Sequence, residues 1–553
     1  METMLRLKHL RSLLAAIAVP IAATAAAAVP ATTTAPAPAP AASAADAPKV
    51  APGGTDHASP ALLAPTEQTS RGSVDVGGRR IDYQAVAGTL VVHPKGWSDA
   101  PQDKDSKNPT AVATMSYVAY FAKGAKPGER PVTFLYNGGP GSSTVWLHMG
   151  AFGPRRVVTR DDTHTPAAPY AVVNNDFSLL DASDLVFVDA PGTGFGRIVG
   201  KDAEKAFYGV DPDVHAFASF ITQFASKFNR WNSPKYLFGE SYGTPRSAAL
   251  VKALQNQGME FNGVVLLSTI LNDALSIDGP NFDPGVDLPY ELALPSYAAT
   301  AWYHDRLPGT KPAELEPFLQ EVERFAMTDY AQALSKGTEL DDATRNTIAE
   351  TLHRYTGLPV AYILKADLRI DGGEFEKTLQ VDADTTTGRL DSRFSGPDMD
   401  PLSQRAGYDP LFAAIGSAYV SAFNDYVRRD LNYGRDLTYK PTISVWKSWD
   451  FQHQPPGAPR KLPQAMNVMP DLATAMKANP NLRIMVNGGY YDIATPFYEG
   501  WYEMHHLPIP AKLARNIEYR YYPSGHMVYA HLPSLKALHD NVAAFIRRTD
   551  NLQ

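Results

Sequence analysis

The amino-acid sequence predicts an open, mostly parallel α/β sheet with helices on both faces and a largely helical insertion. Three observations lead there. Short apolar runs with turn residues behind them recur at 132–136, 185–188, 236–238, 264–267 and 483–486. These runs are continuous rather than alternating, as strands covered on both faces are. Helical patterns lie between them. Asp211-Pro212 supplies a cap and a first-turn proline, and Val214, Phe217, Ile221, Phe224 and Phe228 follow at helical spacing. Strands alternating with helices define the layered α/β class.

Taken in order, the chain begins with Arg6, Lys8 and Arg11, an apolar run over 13–21, and Ala23-Thr24-Ala25. That basic, apolar, small-residue order predicts a signal peptide over 1–25 and export to the periplasm or the extracellular space. The apolar run is broken by Pro20 and too short to span a bilayer, so no stable membrane anchor is expected. Residues 26–71 are mostly Ala, Pro, Thr and Ser and predict an extended, solvated linker. The first part of the core is then expected over 72–288, starting with strands at 81–92 and 113–121 around a polar loop. A mainly helical insertion, or lid, is expected over 289–438, from patterns at 313–334 and 342–355. The core resumes over 439–553, with a strand at 518–522. It closes on a helix from Ser534 that carries Leu535, Leu538, Val542 and Phe545 on one face.

Composition excludes several functions. Of 553 residues, 44% are hydrophobic and 20% charged, and the net charge of −7 gives no footprint for nucleic acid. The chain has no cysteine, which removes disulfides, thiolate zinc sites, iron–sulfur clusters and cysteine nucleophiles. His505-His506 and the acidic stretches 278–287 and 391–400 lack metal-ligand spacing and read as solvated loops, so neither metal nor organic cofactor is expected. Nothing in the sequence sets an oligomeric state.

The chemistry concentrates at strand ends. A strand at 235–238 leads into Gly239-Glu240-Ser241-Tyr242-Gly243, and Thr244-Pro245 opens a helix. This is the strand–turn–helix setting of a G-x-S-x-G elbow, whose glycines allow a turn tight enough to expose Ser241 as a nucleophile. A serine needs a base and the base an orienting acid. Asp492 stands just past the 483–486 strand, and His526 follows the 518–522 strand on Pro523-Ser524-Gly525. The order Ser…Asp…His is that of α/β-hydrolases. The loop Asn137-Gly138-Gly139-Pro140-Gly141-Ser142-Ser143 after the 132–136 strand can present backbone N–H groups to a substrate carbonyl.

Together NGGPGSS (137–143), VFVDAPGTGFG (186–196), GESYG (239–243), Asp492 after NGGYY, and GHMV (525–528) resemble the serine carboxypeptidase family, peptidase family S10, of the α/β-hydrolase fold. The resemblance implies Ser241 as nucleophile, His526 as general base and acid, and Asp492 as its partner. It implies the N–H groups of Gly139 and Tyr242 as the oxyanion hole, and Asn137 with Glu240 as the binding site for a free C-terminal carboxylate. The substrates implied are peptides with a free C-terminus, cleaved best in mildly acidic conditions. A carboxylate beside the nucleophile fits both traits: it repels a substrate carboxylate when ionised and donates to it when protonated.

Four departures stand out. Ala151 occupies a position where relatives commonly carry Glu, and Arg155-Arg156, read as a solvated basic pair, follow soon after. Tyr529 stands where proline commonly follows GHMV, Gly196 where serine is common, and Ser142 where cysteine is. Ala151 puts strict exopeptidase specificity in question. The competing expectations are an esterase or acyltransferase on the same scaffold and an inactive exported binding protein.

Overall fold

The structure is a computed structural model that describes residues 63–100 and 107–552. The expected signal peptide and most of the expected linker lie outside these residues. Nine strands make the main path of one sheet. They are β1 (Glu67–Val76), β2 (Arg79–Val92), β3 (Val112–Ala122), β4 (Val132–Tyr136), β5 (Asp184–Val188), β6 (Lys235–Glu240), β7 (Gly263–Leu267), β8 (Arg483–Gly489) and β9 (Ile517–Tyr522). Their order is β1-β2-β3-β5-β4-β6-β7-β8-β9, with a short strand Arg197–Val199 pairing off β3. β1, β2 and β3 run antiparallel, and from β5 to β9 each neighbouring pair is parallel.

Period-two packing explains why the central strands read as unbroken apolar runs. In β7, Val264 and Leu266 enter one core layer and Val265 and Leu267 the other. The first layer is closed by helices α1 (Val210–Lys227), α2 (Gly243–Gln255) and α3 (Met469–Ala478). The second is closed by Pro410–Arg429 and the C-terminal helix Leu532–Thr549. Covered on both faces, the strands need no polar side, and the parallel half of the sheet is the mostly parallel, helix-flanked sheet expected.

Two boundaries differ from the sequence expectation. Ordered pairing begins at Glu67, opposite Gly88, inside the stretch assigned to the linker. This edge strand is half exposed, so its polar residues give no apolar signal. The helical region also ends sooner than residue 438. Its own apolar cluster runs from Leu275 to Leu379 and joins 491–498. Phe394 and residues 411–439 instead pack against the sheet. The amphipathic helix Pro410–Arg429 looks alike whether it covers a lid or a sheet, and only its neighbours distinguish the two. Among the described residues no helix is long and apolar enough to cross a membrane.

Candidate active site

All the candidate site residues sit at the carboxyl ends of parallel strands, where open α/β sheets leave a crevice. Ser241 follows β6 directly and has φ +59, a left-handed backbone conformation that a non-glycine residue holds only under strain. Its N–H donates to Leu267 O (2.9 Å), and its carbonyl accepts from Thr244 N (2.7 Å). Gly239 of the elbow and Gly138 of the facing loop are required by space. A Cβ on Gly239 would lie 2.0 Å from Gly243 O, and one on Gly138 2.3 Å from Tyr242 N. The second contact shows how tightly the 137–143 loop lies against the start of α2. Gly139, Ser241 and Tyr242 line one cavity of about 310 Å³. Neither Gly139 N nor Tyr242 N donates a hydrogen bond to another described residue, so both remain available to an incoming carbonyl oxygen.

Behind Ser241 the loop is braced by charge. Arg246 on α2 donates from Nε to Asp213 Oδ2 (2.6 Å) and from Nη1 to Asn137 O (2.8 Å), and both side chains are fully buried. A single guanidinium thus ties α1, α2 and the 137–143 loop together.

His526 and Asp492 are brought together from β9 and β8. His526 Nδ1 lies 2.8 Å from Asp492 Oδ2, in a pair 4% and 0% exposed. Thr495 adds two bonds to Asp492, from N to Oδ1 (3.0 Å) and from Oγ1 to Oδ2 (2.8 Å). A carboxylate held this way leaves Nδ1 of His526 as the donor and Nε2 as the free acceptor. Burial lowers the affinity of the imidazole for a proton, but the Asp492 charge and hydrogen bond, with the Glu240 charge, outweigh it and raise the pKa. Ser241 Oγ has no hydrogen-bond partner among the described residues. Thr495, which also lies 3.2 Å from His526 Nδ1, shares the cavity wall with Ser241.

Glu240 and Asn137 are each 3% exposed. Burial pushes the Glu240 carboxyl up to about 7, against the opposing pull of His526, Tyr529 and Asn137. Tyr529 Oη donates to Glu240 Oε2 (2.8 Å). The rings of Tyr529 and Tyr419 press on Gly150, where an added Cβ would come within 2.7 Å of each. The space at Gly150, the chain neighbour of Ala151, is therefore filled by tyrosine. Arg155 and Arg156 are half-buried, not solvated: they form a short strand, and Arg156 Nε is buried with no hydrogen-bond partner among the described residues.

Residues 389–394 correct the solvated-loop expectation for the stretch starting at Asp391. Asp391 is fully buried, paired with Arg393 (2.6 Å), and accepts from Gly525 N (3.1 Å). His526 N donates to Leu390 O (2.6 Å), and Ile493 N and Ala494 N donate to Arg389 O. This segment therefore supports both the Asp492 and the His526 loops. Its acidic composition hid that role because its partners lie more than 100 residues away. Thr495 was also missed, although an Asp with a Thr three residues later is a legible side-chain-to-backbone motif.

Sheet order, a strained serine at a strand–helix turn, and a His–Asp pair at two further strand ends define the α/β-hydrolase fold. Residues 108–365 match the family model of the serine carboxypeptidases. Over that segment, just under half of its length, the chain is similar to the serine carboxypeptidases, which supports a serine-type peptidase. The match covers the Ser241 half of the site and stops short of Asp492 and His526. Among solved structures, the chain is similar to proline iminopeptidase from Mycobacterium smegmatis, at 12% identity over 87% of this chain and 99% of that one (TM-score 0.32). It is also similar to a soluble variant of monoglyceride lipase from Saccharomyces cerevisiae, at 10% identity over 83% and 97% (TM-score 0.33). Neither likeness bears on activity. No curated protein sequence matches the chain.

Proposed function

We propose that the chain is an exported carboxypeptidase that releases the C-terminal residue of peptides through an acyl-enzyme. Ser241 Oγ attacks the last peptide carbonyl while His526 Nε2 takes its proton. The oxyanion is held by Gly139 N and Tyr242 N, and His526 returns the proton to the leaving amine. Water then repeats the sequence on the ester. Asp492 keeps Nδ1 protonated and stabilises the imidazolium. The observation that carries this reading is Ser241 at φ +59 on a cavity wall shared with Thr495, whose hydroxyl reaches the buried His526–Asp492 pair.

Recognition of the free C-terminus rests on Asn137 and Glu240. Below about pH 7 Glu240 is protonated and donates to a carboxylate; above it, two anions would meet. The enzyme should therefore favour mildly acidic conditions. Export rests on the order of Arg6, Lys8, Arg11, the apolar run and Ala23-Thr24-Ala25.

One observation favours a second reading, an esterase or acyltransferase: Tyr529 caps Glu240, and the rings of Tyr529 and Tyr419 fill the space at Gly150. A single comparison separates the two. A peptide with a free C-terminus should be cleaved at least tenfold faster than its amide at pH 5–6, and Ser241→Ala should abolish cleavage and labelling by a phosphonate probe. Equal rates on acid and amide would support the second reading, and an active Ser241→Ala would refute the mechanism.

A further inference from the structure

The cavity beside Ser241 has a charge that the mechanism does not use. Its reactive end is Gly139, Ser241 and Tyr242, and Glu240 and Asn137 do not line it. If the leaving residue is held at Glu240 and Asn137, the cavity receives the other side of the scissile bond, the acyl residue. One part of its wall is apolar, formed by Phe451, Met466 and the 60% exposed Trp446, which stacks on Phe451 (5.6 Å between ring centres).

Two carboxylates, Asp273 and Asp278, stand on the same lining. Asp278 is neutralised by Arg389, which grips it through Nε (2.9 Å) and Nη2. Asp273 is different. Its backbone is fixed, with N donating to Met466 O (2.9 Å) at the start of a capped turn, 273–275. Its side chain makes no hydrogen bond or ion pair with another described residue. Partial burial and the nearby charge of Asp278 raise its pKa, the signature of an anion lacking a counter-charge.

We propose that Asp273 selects a basic residue, Arg or Lys, on the acyl side of the cleaved bond. A long basic side chain lays its aliphatic stem along apolar walls and keeps its charged end at a polar group, which is the order of surfaces this cavity offers. Trp446 adds an aromatic face to a passing cation. An acidic residue at the same position would face Asp273 with nothing to offset the repulsion, since Arg389 is already engaged by Asp278. The assignment to the acyl side rests on the proposed orientation of the leaving residue, so the test uses substrates that do not depend on it.

Two series sharing the acyl residues Arg, Lys, norleucine and Glu would be compared: blocked peptides with one common C-terminal residue, and blocked amino-acid ethyl esters. The expected result is a kcat/KM for Lys and Arg about tenfold or more above norleucine in the ester series, with Glu lowest. The peptide series should show the same ranking. Asp273→Asn should bring the Lys-to-norleucine ratio close to one, and Asp273→Lys should move the preference to Glu. A ratio near one in the wild-type ester series, or a ratio that survives Asp273→Asn, overturns the proposal. Hydrolysis of esters but not of free-acid peptides would overturn the carboxypeptidase reading alone, while the ester series still decides the role of Asp273.

Discussion

Removing the Tyr529 hydroxyl tests how this site recognises a carboxylate. Tyr529→Phe deletes one oxygen and leaves the ring packed against Gly150 and Tyr419. What is lost is the 2.8 Å bond to Glu240 Oε2. A hydrogen bond to an ionised acceptor is worth about 1.5–3 kcal/mol and one to a neutral acceptor about 0.5–1.5 kcal/mol, so the bond favours ionised Glu240 by about 1–1.5 kcal/mol. At about 1.4 kcal/mol per pKa unit, its loss raises Glu240 by about one unit above its value of about 7. Glu240 then stays protonated to higher pH, and a substrate carboxylate is tolerated there. The assay is kcat/KM against pH for a matched free-acid peptide and its amide, since kcat/KM reports groups of the free enzyme. The alkaline limb should move up by about one unit for the acid and stay in place for the amide. An unmoved limb for the acid, or the same shift for both substrates, would refute the assignment of Glu240 to carboxylate recognition.

Other consequences concern stability. Glu240 binds its proton more tightly in the folded protein, near pH 7, than in the unfolded chain, near 4.5, so its contribution is full below about 4.5 and lost as pH rises through 7. Glu240→Gln cannot titrate. Between pH 5 and 8 it should lose about 3 kcal/mol less unfolding free energy than the wild type, measured by urea denaturation. Asp213→Ala leaves Arg246 buried without its partner and should cost about 3–5 kcal/mol. Replacing both, as Asp213→Ala with Arg246→Met, should recover part of that loss. A double variant no more stable than the single one would argue against the pair as the cause.

Much of the site follows from local constraints. Gly239 and Gly243 bracket Ser241 because the turn leaves no room for a Cβ at Gly239, and that need is written in the pentapeptide itself. The strands carrying Asn137, Ser241 and Asp492 are legible because burial on both faces forces unbroken apolar runs, whereas β9, which leads to His526, is a part-exposed edge strand without one. β1 escapes this reading at Glu67 because an exposed edge tolerates polar residues. The helix Pro410–Arg429 shows an apolar stripe, but a stripe does not name the surface that covers it.

The sequence by itself determined the α/β class, the elbow and the order of the candidate catalytic residues, since each depends on periodicity or on spacing within a few residues. Only the tertiary structure decided what surrounds them. Asp391 reaches Gly525 across 134 positions, and Tyr529 reaches Glu240 across 289. Asp273 has no side-chain partner among the described residues, while Asp278, close by in the same cavity, is paired with Arg389. Charge compensation is a property of distance in space, and no local pattern reports which carboxylate will find its cation.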